Sequence, residues 1–224
     1  MKKKLNIQNF KALLFDMDGI VVDSMPYHFI SWFEALKHYG VRVSPMTVFE
    51  MEGAKWDEVI KTAYKQSGKK FTSGIAAKIR LERETIFKKY FHRYIFDGMP
   101  EILKFLKKQS FLTGLVTGSS LKEAKRFLPA DLYDLFDAVV AGDTVKRSKP
   151  HPDPYLASAE KLGVLPKECF VVENAPYGIK AAKAAKMLCA AIATSLPESY
   201  LKEADIIFEN HKELYSFLHR CNNG

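Results

Sequence analysis

From residue 100 onward, short apolar runs alternate with segments of helical spacing, and this alternation is the strongest constraint on the fold. Strands that alternate with helices favour right-handed crossovers and a parallel sheet covered by helices on both faces. The predicted strands are residues 12–16, 112–117, 138–141, 169–173, 188–193 and 206–208. The predicted helices of this part are residues 101–108, 122–128, 155–162 and 177–186. The predicted fold class is therefore α/β, with a Rossmann-like three-layer core and a parallel sheet.

A gap of roughly a hundred residues separates the first two predicted strands, which is far too long for a loop inside a compact domain. Within it, apolar side chains recur at helical spacing over residues 26–39, 55–66 and 75–91. We therefore predict a helical cap domain at residues 23–96. It is inserted into a core domain made of residues 1–22 and 97–224.

Composition limits the classes of protein to consider. The chain has 224 residues with 47% apolar content, which is enough for a full core and a smaller lobe. The net charge is +8, but the basic residues are spread along the chain, which favours acidic small substrates over nucleic acid. Three widely spaced cysteines indicate thiols in a reducing compartment. No apolar run is long enough to span a bilayer, so we expect a cytoplasmic protein without a membrane partner, as a monomer or weak dimer.

Two carboxylates stand where the first predicted strand ends. Asp16 and Asp18 are two residues apart, so their side chains would project the same way at the edge where open parallel sheets bind ligands. One carboxylate could attack a substrate while the other shuttles a proton. An ordinary acidic turn is the simpler alternative for this pair alone.

The second predicted strand ends in hydroxyls and a glycine. Thr117 supplies a hydroxyl, Gly118 lets a ligand approach the backbone, and Ser119 lies just before a predicted helix N-terminus. Such a corner suits phosphate oxygens. The alternative is that Ser120 simply caps the helix.

Two later segments add a cation and further oxygens. Lys149 lies in a segment stiffened by prolines and could neutralise both a phosphate and an attacking carboxylate. Glu173 and Asn174 end an apolar strand, and carboxylate and amide oxygens are ligands that Mg²⁺ prefers. An exposed lysine and plain strand-end caps would explain each segment separately. All four stretches nevertheless fall at one predicted edge of the sheet, which favours a joint site.

Together these stretches resemble the four motifs of the haloacid dehalogenase superfamily of phosphotransferases. The matching residues are Asp16, Asp18 and Gly19, then Thr117 and Gly118, then Lys149 and Pro150, then Glu173 and Asn174. The resemblance covers essentially the whole chain, and the helical insertion is similar to the four-helix cap of the β-phosphoglucomutase-like branch.

The resemblance implies aspartyl-phosphate chemistry. Asp16 would be the nucleophile, Asp18 the general acid/base, and Thr117 and Lys149 the groups that stabilise phosphate and intermediate. The implied cofactor is Mg²⁺, held by Asp16, the backbone carbonyl of Asp18, Glu173 and Asn174. Attack of a carboxylate on a phosphate dianion is repulsive, so positive charge is needed at the site. Asp18 also argues against dehalogenation and phosphonate cleavage, because by resemblance those branches lack Asp there.

Substrate choice depends on the predicted cap, where residues 49–53 form a short loop that ends in a glycine. Where true mutases carry a basic residue shortly after this glycine, the chain has Trp56, with Lys55 beside it. Glu52 adds a negative charge, which weakens a mutase interpretation. His28 does match a mutase position, although a packing role is the alternative for a helical histidine.

Two arginines of the cap, Arg80 and Arg83, could also reach a substrate, but solvated helix faces explain such residues equally simply. Residues 16–28, 51–53, 149–156 and 172–176 resemble most a subgroup of the branch that includes inorganic pyrophosphatases. We therefore predict a Mg²⁺-dependent phosphohydrolase acting on a small phosphate ester or pyrophosphate. A β-phosphoglucomutase-type sugar-phosphate phosphotransferase is the first alternative. A catalytically weak phosphate-binding protein is the second, suggested by Asn174 where the family usually has Asp.

Overall fold

The computed structural model describes residues 7–222. Its strands are β1 (Ala12–Phe15), β2 (Leu112–Val116), β3 (Ala138–Val140), β4 (Cys169–Glu173), β5 (Leu188–Ile192) and β6 (Ile206–Phe208). They form one sheet in the order β3-β2-β1-β4-β5-β6, and every strand pairing in it is parallel. The predicted α/β fold class is confirmed. Four of the predicted strands end one residue earlier in the structure.

The central strands are buried on both faces. β1 and β4 have no exposed residue, and apart from Glu173 at the end of β4 their sequences are apolar, as expected when helices cover both sides of a parallel sheet. Alternate residues of β1 enter different clusters: Leu13 and Phe15 pack on one face, and Leu14 packs on the other. This burial fixes the strand whose end carries Asp16.

The helices divide into a cap group and a core group. The cap helices are α1 (Met25–Lys37), α2 (Pro45–Glu50), α3 (Trp56–Gln66) and α4 (Ser73–Tyr90). The core helices are α5 (Met99–Lys108), α6 (Leu121–Phe127), α7 (Ala130–Tyr133), α8 (Asp153–Lys161), α9 (Pro176–Ala184) and α10 (His211–Asn222). Within residues 7–222, no helix is both long enough and apolar enough to cross a membrane.

Three helices were not predicted from the sequence: α2, α7 and α10. α2 is short, and its start is marked by Ser44, whose Oγ accepts a hydrogen bond from the Thr47 backbone 3.1 Å away, with Pro45 at the first helical position. Serine followed by proline is a recognisable helix start, so this sequence signal was available. α7 is too short for periodicity to reveal it.

Sheet order explains where a site can form. After β3 at one edge, the chain crosses to β4 on the other side of β1. A crevice forms beyond the carboxyl ends of strands where the winding direction changes, here β1 and β4. Asp16 and Asn174 follow these two strands directly.

The cap and the core are joined by a neck of two paired segments. The Asp23 N–H donates to the Tyr94 carbonyl at 2.9 Å, and the Phe96 N–H donates to the Val21 carbonyl at 3.1 Å. Val22 bridges to Ile95 in the antiparallel sense. The predicted domain boundaries fall at this neck, and the independence of the two domains stays a prediction.

His211, the first residue of α10, contacts both segments of the neck region. Its Nε2 donates to the Ile20 carbonyl at 2.6 Å, and its ring stacks on Phe96 with centroids 4.7 Å apart. Burial lowers the pKa of His211, although the hydrogen bond to Ile20 and the charge of Asp97 oppose that shift. The folded state therefore favours the uncharged ring.

We predict that His211 makes folding stability fall at acid pH. The unfolded chain takes up the His211 proton near its ordinary pKa of 6.5, whereas the folded chain resists it, so acid favours unfolding. Thermal melts at about pH 7.5 and pH 5.5 should show a drop in Tm, smaller by a few degrees in His211→Gln, which retains a donor for Ile20. Equal drops in both proteins would contradict this role.

Candidate active site

A buried lysine stands between two carboxylates at the centre of the site. Lys149 Nζ lies 2.5 Å from Asp16 Oδ1 and 2.7 Å from Glu173 Oε1, and all three side chains are at most 2% exposed. Burial disfavours the Lys149 ammonium, but Asp16 and Glu173 outweigh this and raise its pKa. Lys149 is therefore held in its charged form, directly beside the predicted nucleophile.

For Asp16, unlike Lys149, the effect of burial outweighs that of the neighbouring opposite charge. Burial raises the pKa of Asp16 to about 8, Lys149 opposes this shift, and the charges of Glu173 and Asp18 add to it. Asp16 Oδ1 is taken by Lys149, while Oδ2 is buried and has no hydrogen-bond partner among the described residues. The second oxygen of Asp16 is therefore the one available for chemistry or for a cation.

Glu173 makes contacts that the sequence did not predict. Its Oε1 accepts hydrogen bonds from Lys149 and, at 2.6 Å, from the Tyr155 hydroxyl, while its Oε2 accepts from the backbone N–H groups of Asn174 and Ala175. Both oxygens are therefore occupied by protein donors. These contacts favour a role in holding Lys149, and the predicted metal role of Glu173 stays a prediction. Tyr155 was missed because a lone tyrosine on a helix carries no sequence signal of such a role.

Asp18 lies at the centre of a separate hydrogen-bond network. Its Oδ1 accepts from Ser24 Oγ at 2.6 Å and contacts His28 Nε2 at 3.0 Å, and its Oδ2 accepts from the hydroxyls of Thr117 and Ser119 at 3.2 and 3.3 Å. Burial would raise the pKa of Asp18, but the contact with His28 and the hydrogen bonds from Ser24 and Thr117 lower it overall. Two residues predicted to bind phosphate are thus directed at Asp18, and Ser24 was not predicted.

Ser120, by contrast, has the capping role weighed as an alternative. It caps α6 in a capping box with Glu123, in which each residue bonds the other's backbone N–H. Its side chain is therefore committed to the helix start.

His28 is oriented by a second cap residue, Arg83. An Arg83 guanidinium nitrogen contacts His28 Nδ1. Because arginine is a donor only, His28 Nδ1 must accept, so Nε2 carries the proton that is donated to Asp18. The Arg83 side chain is buried among the rings of Trp32, Trp56 and Phe87, which lie 4.9 to 5.4 Å from its guanidinium carbon. Arg83 thus links the cap core to Asp18.

The other predicted cap residues divide into two groups. Glu52 offers an oxygen within 4.8 Å of ligand atoms of Asp18 and His28, and Trp56 lines the same cavity. Lys55, in contrast, is exposed just before α3, and Arg80 lies half exposed 3.7 Å from Asp57. The structure therefore brings Glu52 and Trp56 to the site and leaves Lys55 outside it.

The surroundings of Glu52 disfavour the charged form of its carboxyl group. Burial and the charges of Asp18 and Asp16 hold its pKa well above the ordinary value, and Lys149 and Arg83 only partly oppose this. Asp18, His28 and Glu52 have the mutual spacing of metal ligands. His28 Nε2 carries a proton in this arrangement, however, so its lone pair is not free for a cation.

The cap loop rests directly on the core. A Cβ added at Gly53 would lie 2.5 Å from Lys149 Cδ, and one added at Gly118 would lie 2.9 Å from Gly53 Cα. Only glycine permits this approach. The cavity left beneath the cap is about 30 Å³, whereas ligand pockets typically hold about 300 Å³ or more. A wider groove of about 510 Å³ adjoins it at Trp56 and Gly118.

Two buried oxygen atoms of the site fit as ligands of a magnesium ion. Asp16 Oδ2 and Asn174 Oδ1 are both buried and without hydrogen-bond partners in the described part of the chain. Buried acceptors are rarely left unpaired, and hard oxygen atoms are the ligands that Mg²⁺ prefers. Asn174 Nδ2 is occupied elsewhere, because it donates to Ser195 Oγ at 3.1 Å.

The chain is similar in sequence to known hydrolases. Residues 13–192 match the family model described as haloacid dehalogenase-like hydrolase. The chain is 30% identical over 182 residues to a fructose-1-phosphate phosphatase of Escherichia coli. The aligned region is 80% of this chain and 95% of that protein. It is 33% identical over 185 residues to hexitol phosphatase B of the same species, and this aligned region is 79% of this chain and 80% of that protein. The chain therefore belongs to the haloacid dehalogenase-like hydrolases.

Solved structures and mutases agree with this placement. A Bacteroides vulgatus structure described as a proposed β-phosphoglucomutase superposes with a TM-score of 0.85 at 30% identity, covering 96% of this chain and 89% of that one. The β-phosphoglucomutase of Bacillus subtilis is 26% identical over 210 residues, which is 91% of each protein. The predicted resemblance to the family and its β-phosphoglucomutase-like branch is confirmed, whereas the comparisons do not bear out the pyrophosphatase subgroup.

We predict that Lys149→Met destabilises the fold by about 3 kcal/mol, because it leaves the buried carboxylates of Asp16 and Glu173 without their cation. Urea denaturation near neutral pH measures this loss. The matched control is Lys55→Met, at an exposed position, which should stay within about 0.5 kcal/mol of wild type. Equal stabilities of the two variants would show that Lys149 is not the balancing charge.

Proposed function

We propose that this protein is a Mg²⁺-dependent phosphohydrolase that acts on a small phosphate monoester through an aspartyl-phosphate on Asp16. The observation that carries this proposal is the contrast between two neighbouring carboxylates. Asp16 lies beside Lys149 and keeps one oxygen free, whereas Asp18 accepts hydrogen bonds on both oxygens. Environments that differ in this way separate a nucleophile from a proton carrier.

The proposed reaction has two steps. Asp16, in the carboxylate form that Lys149 favours, attacks phosphorus through Oδ2. The bond to the leaving oxygen breaks, and that oxygen takes a proton from Asp18, which enters this step in its acid form. Asp18 then takes a proton from water, which attacks the phosphorus and releases phosphate and free Asp16. The low pKa of Asp18 favours the base form needed for the second step.

Lys149 and the metal ion supply positive charge for this reaction. Lys149 reduces the repulsion between the Asp16 carboxylate and an incoming phosphate dianion. Mg²⁺ would be held by Asp16, Asn174 and the backbone carbonyl of Asp18, and when bound it would neutralise further phosphate charge. Thr117, Gly118 and Ser119 would contact phosphate oxygens at the end of β2.

The proposed substrate class is a sugar or sugar-alcohol monophosphate. The relatives named as phosphatases of fructose 1-phosphate and hexitols support this class. Glu52 supports it as well, because a carboxyl group beneath the cap supplies no positive charge for the second phosphate of a hexose bisphosphate, which a mutase would have to bind. Pyrophosphate is the second candidate, favoured by the motif resemblance, whereas the relatives named above are phosphatases of fructose 1-phosphate and hexitols.

Access to the site requires cap movement. The cavity beneath Gly53 is too small for a sugar phosphate, so we propose that the cap opens by hinges just after Val22 and before Gly98. Gly98 has φ of 88°, a conformation that favours glycine. Closure would then exclude water and bring Glu52 over the substrate.

We predict that Asp16→Asn lowers turnover more than about a thousandfold while leaving the fold intact, because it removes the attacking carboxylate at nearly constant size. Phosphate release should be measured with Mg²⁺ on an aryl phosphate, hexose monophosphates, hexitol phosphates, a hexose bisphosphate and pyrophosphate. The control is Asp131→Asn, an exposed residue of α7. Wild-type turnover in Asp16→Asn would refute the mechanism, and no Mg²⁺-dependent release by wild type would favour the phosphate-binding alternative.

A further prediction couples Glu52 to Asn174. An amide at position 174 supplies one negative charge fewer than Asp would, and we propose that Glu52, which lies beside Asp18 beneath the cap, compensates for it once a cation is bound. Glu52→Ala should raise the Mg²⁺ requirement for turnover in the wild-type background, and much less in an Asn174→Asp background. Titration of activity with Mg²⁺ in the four proteins tests this. Strictly additive effects would show that Glu52 acts elsewhere.

A further inference from the structure

Asn174 poses an orientation problem that an aspartate would not have. A carboxylate presents two equivalent oxygens, whereas an amide presents one oxygen and one NH₂ group. A cation is coordinated only if the amide oxygen faces it. Whatever holds the NH₂ group of Asn174 therefore decides whether this residue is a ligand.

The surroundings of Asn174 distinguish the two ends of the amide. The residue is fully buried, and Oδ1 has no partner among residues 7–222, whereas Nδ2 donates to Ser195 Oγ at 3.1 Å. A Cβ added at Gly19 would lie 2.0 Å from Asn174 Nδ2 and 2.9 Å from Ser195 Oγ. The NH₂ end is thus enclosed by the bare face of Gly19 and by the Ser195 hydroxyl.

The loop that carries Ser195 is itself fixed to the catalytic turn. Thr194 Oγ1 donates to the Gly19 carbonyl at 2.6 Å. Gly19, Asn174 and Ser195 follow β1, β4 and β5, which are adjacent strands of the sheet. The position of the Ser195 hydroxyl is therefore set by the same sheet edge that sets Asp16.

We propose that Ser195 is a positioning residue for the metal site: it accepts the Asn174 NH₂ group and so keeps the amide oxygen directed toward the cation. This inference rests on the proposed Mg²⁺ dependence. The role of Ser195 is needed because Asn174 is an amide, whose oxygen and NH₂ group are not equivalent. Without the hydroxyl, the NH₂ group is buried without an acceptor whenever Oδ1 faces the metal, and the metal-bound state is penalised.

The same hydroxyl acts differently beside a carboxylate. Next to Asp at position 174, Ser195 would donate a hydrogen bond to the carboxylate and draw charge away from the metal. Removing the hydroxyl then carries no orientation penalty. The effect of Ser195→Ala on Mg²⁺ affinity should therefore depend on the residue at position 174.

The test is direct Mg²⁺ binding by isothermal titration calorimetry on the full chain, without substrate. Ser195→Ala should weaken Mg²⁺ binding about tenfold in the wild-type background, because one buried donor loses its partner. In the Asn174→Asp background, Ser195→Ala should leave the Kd within about twofold, or tighten it. Ser195→Thr, which keeps the hydroxyl, should bind as wild type does.

Thr194→Val is the control for general loosening of the loop, because it removes the bond to Gly19 and leaves the Ser195 hydroxyl in place. It should weaken Mg²⁺ binding by the same factor in both backgrounds. An equal effect of Ser195→Ala in both backgrounds, or none in wild type, would overturn the role of Ser195 while Mg²⁺ binding by wild type still stands. Failure of wild type to bind Mg²⁺ would overturn the proposed function together with this role.

Discussion

The Lys149 ammonium, held between Asp16 and Glu173, is the interaction on which the rest of the site depends. Two buried carboxylates so close together would repel each other in a low-dielectric interior, and one cation between them makes the arrangement tolerable. The remaining contacts of Glu173, from Tyr155 and two backbone N–H groups, support the lysine indirectly by fixing its second carboxylate. Because Lys149 occupies one oxygen of Asp16, the other oxygen has a defined orientation.

The order of the strands turns distant segments into neighbours. The ends of β2, β1, β4 and β5 follow one another along one edge of the sheet, and they carry in turn a hydroxyl, the proposed nucleophile, an amide and the serine beside it. The cap adds a second set of contacts from above, in which Arg83 orients His28 and His28 contacts Asp18. Asp16 is thus held from the core, whereas Asp18 is held from the core and the cap together.

Sequence reasoning located the parts of the site that lie at strand ends. Asp16, Asp18, Thr117, Lys149 and Asn174 were predicted because an apolar run followed by oxygen-bearing residues, or a proline-rich segment, is visible in one dimension. Tyr155, Ser24 and Ser195 were not predicted, since each acts by a contact with a side chain elsewhere in the chain and has no periodic signal of its own. Lys55 and Trp56 are adjacent in sequence, yet the start of α3 leaves one exposed and turns the other inward, and composition alone could not separate them.

The paired neck allows the sequences of the cap and the core to change independently. Because the chain enters and leaves the cap through segments that are hydrogen-bonded to each other, the two ends of the cap lie side by side, and the sheet is continuous without it. An insertion whose ends meet can be lengthened, shortened or replaced with little disturbance to the host domain. In the proposed mechanism the reacting groups lie on the core and the cap covers the substrate. Exchange of one continuous segment of the chain could therefore change the metabolite that is hydrolysed while the reacting groups stay the same.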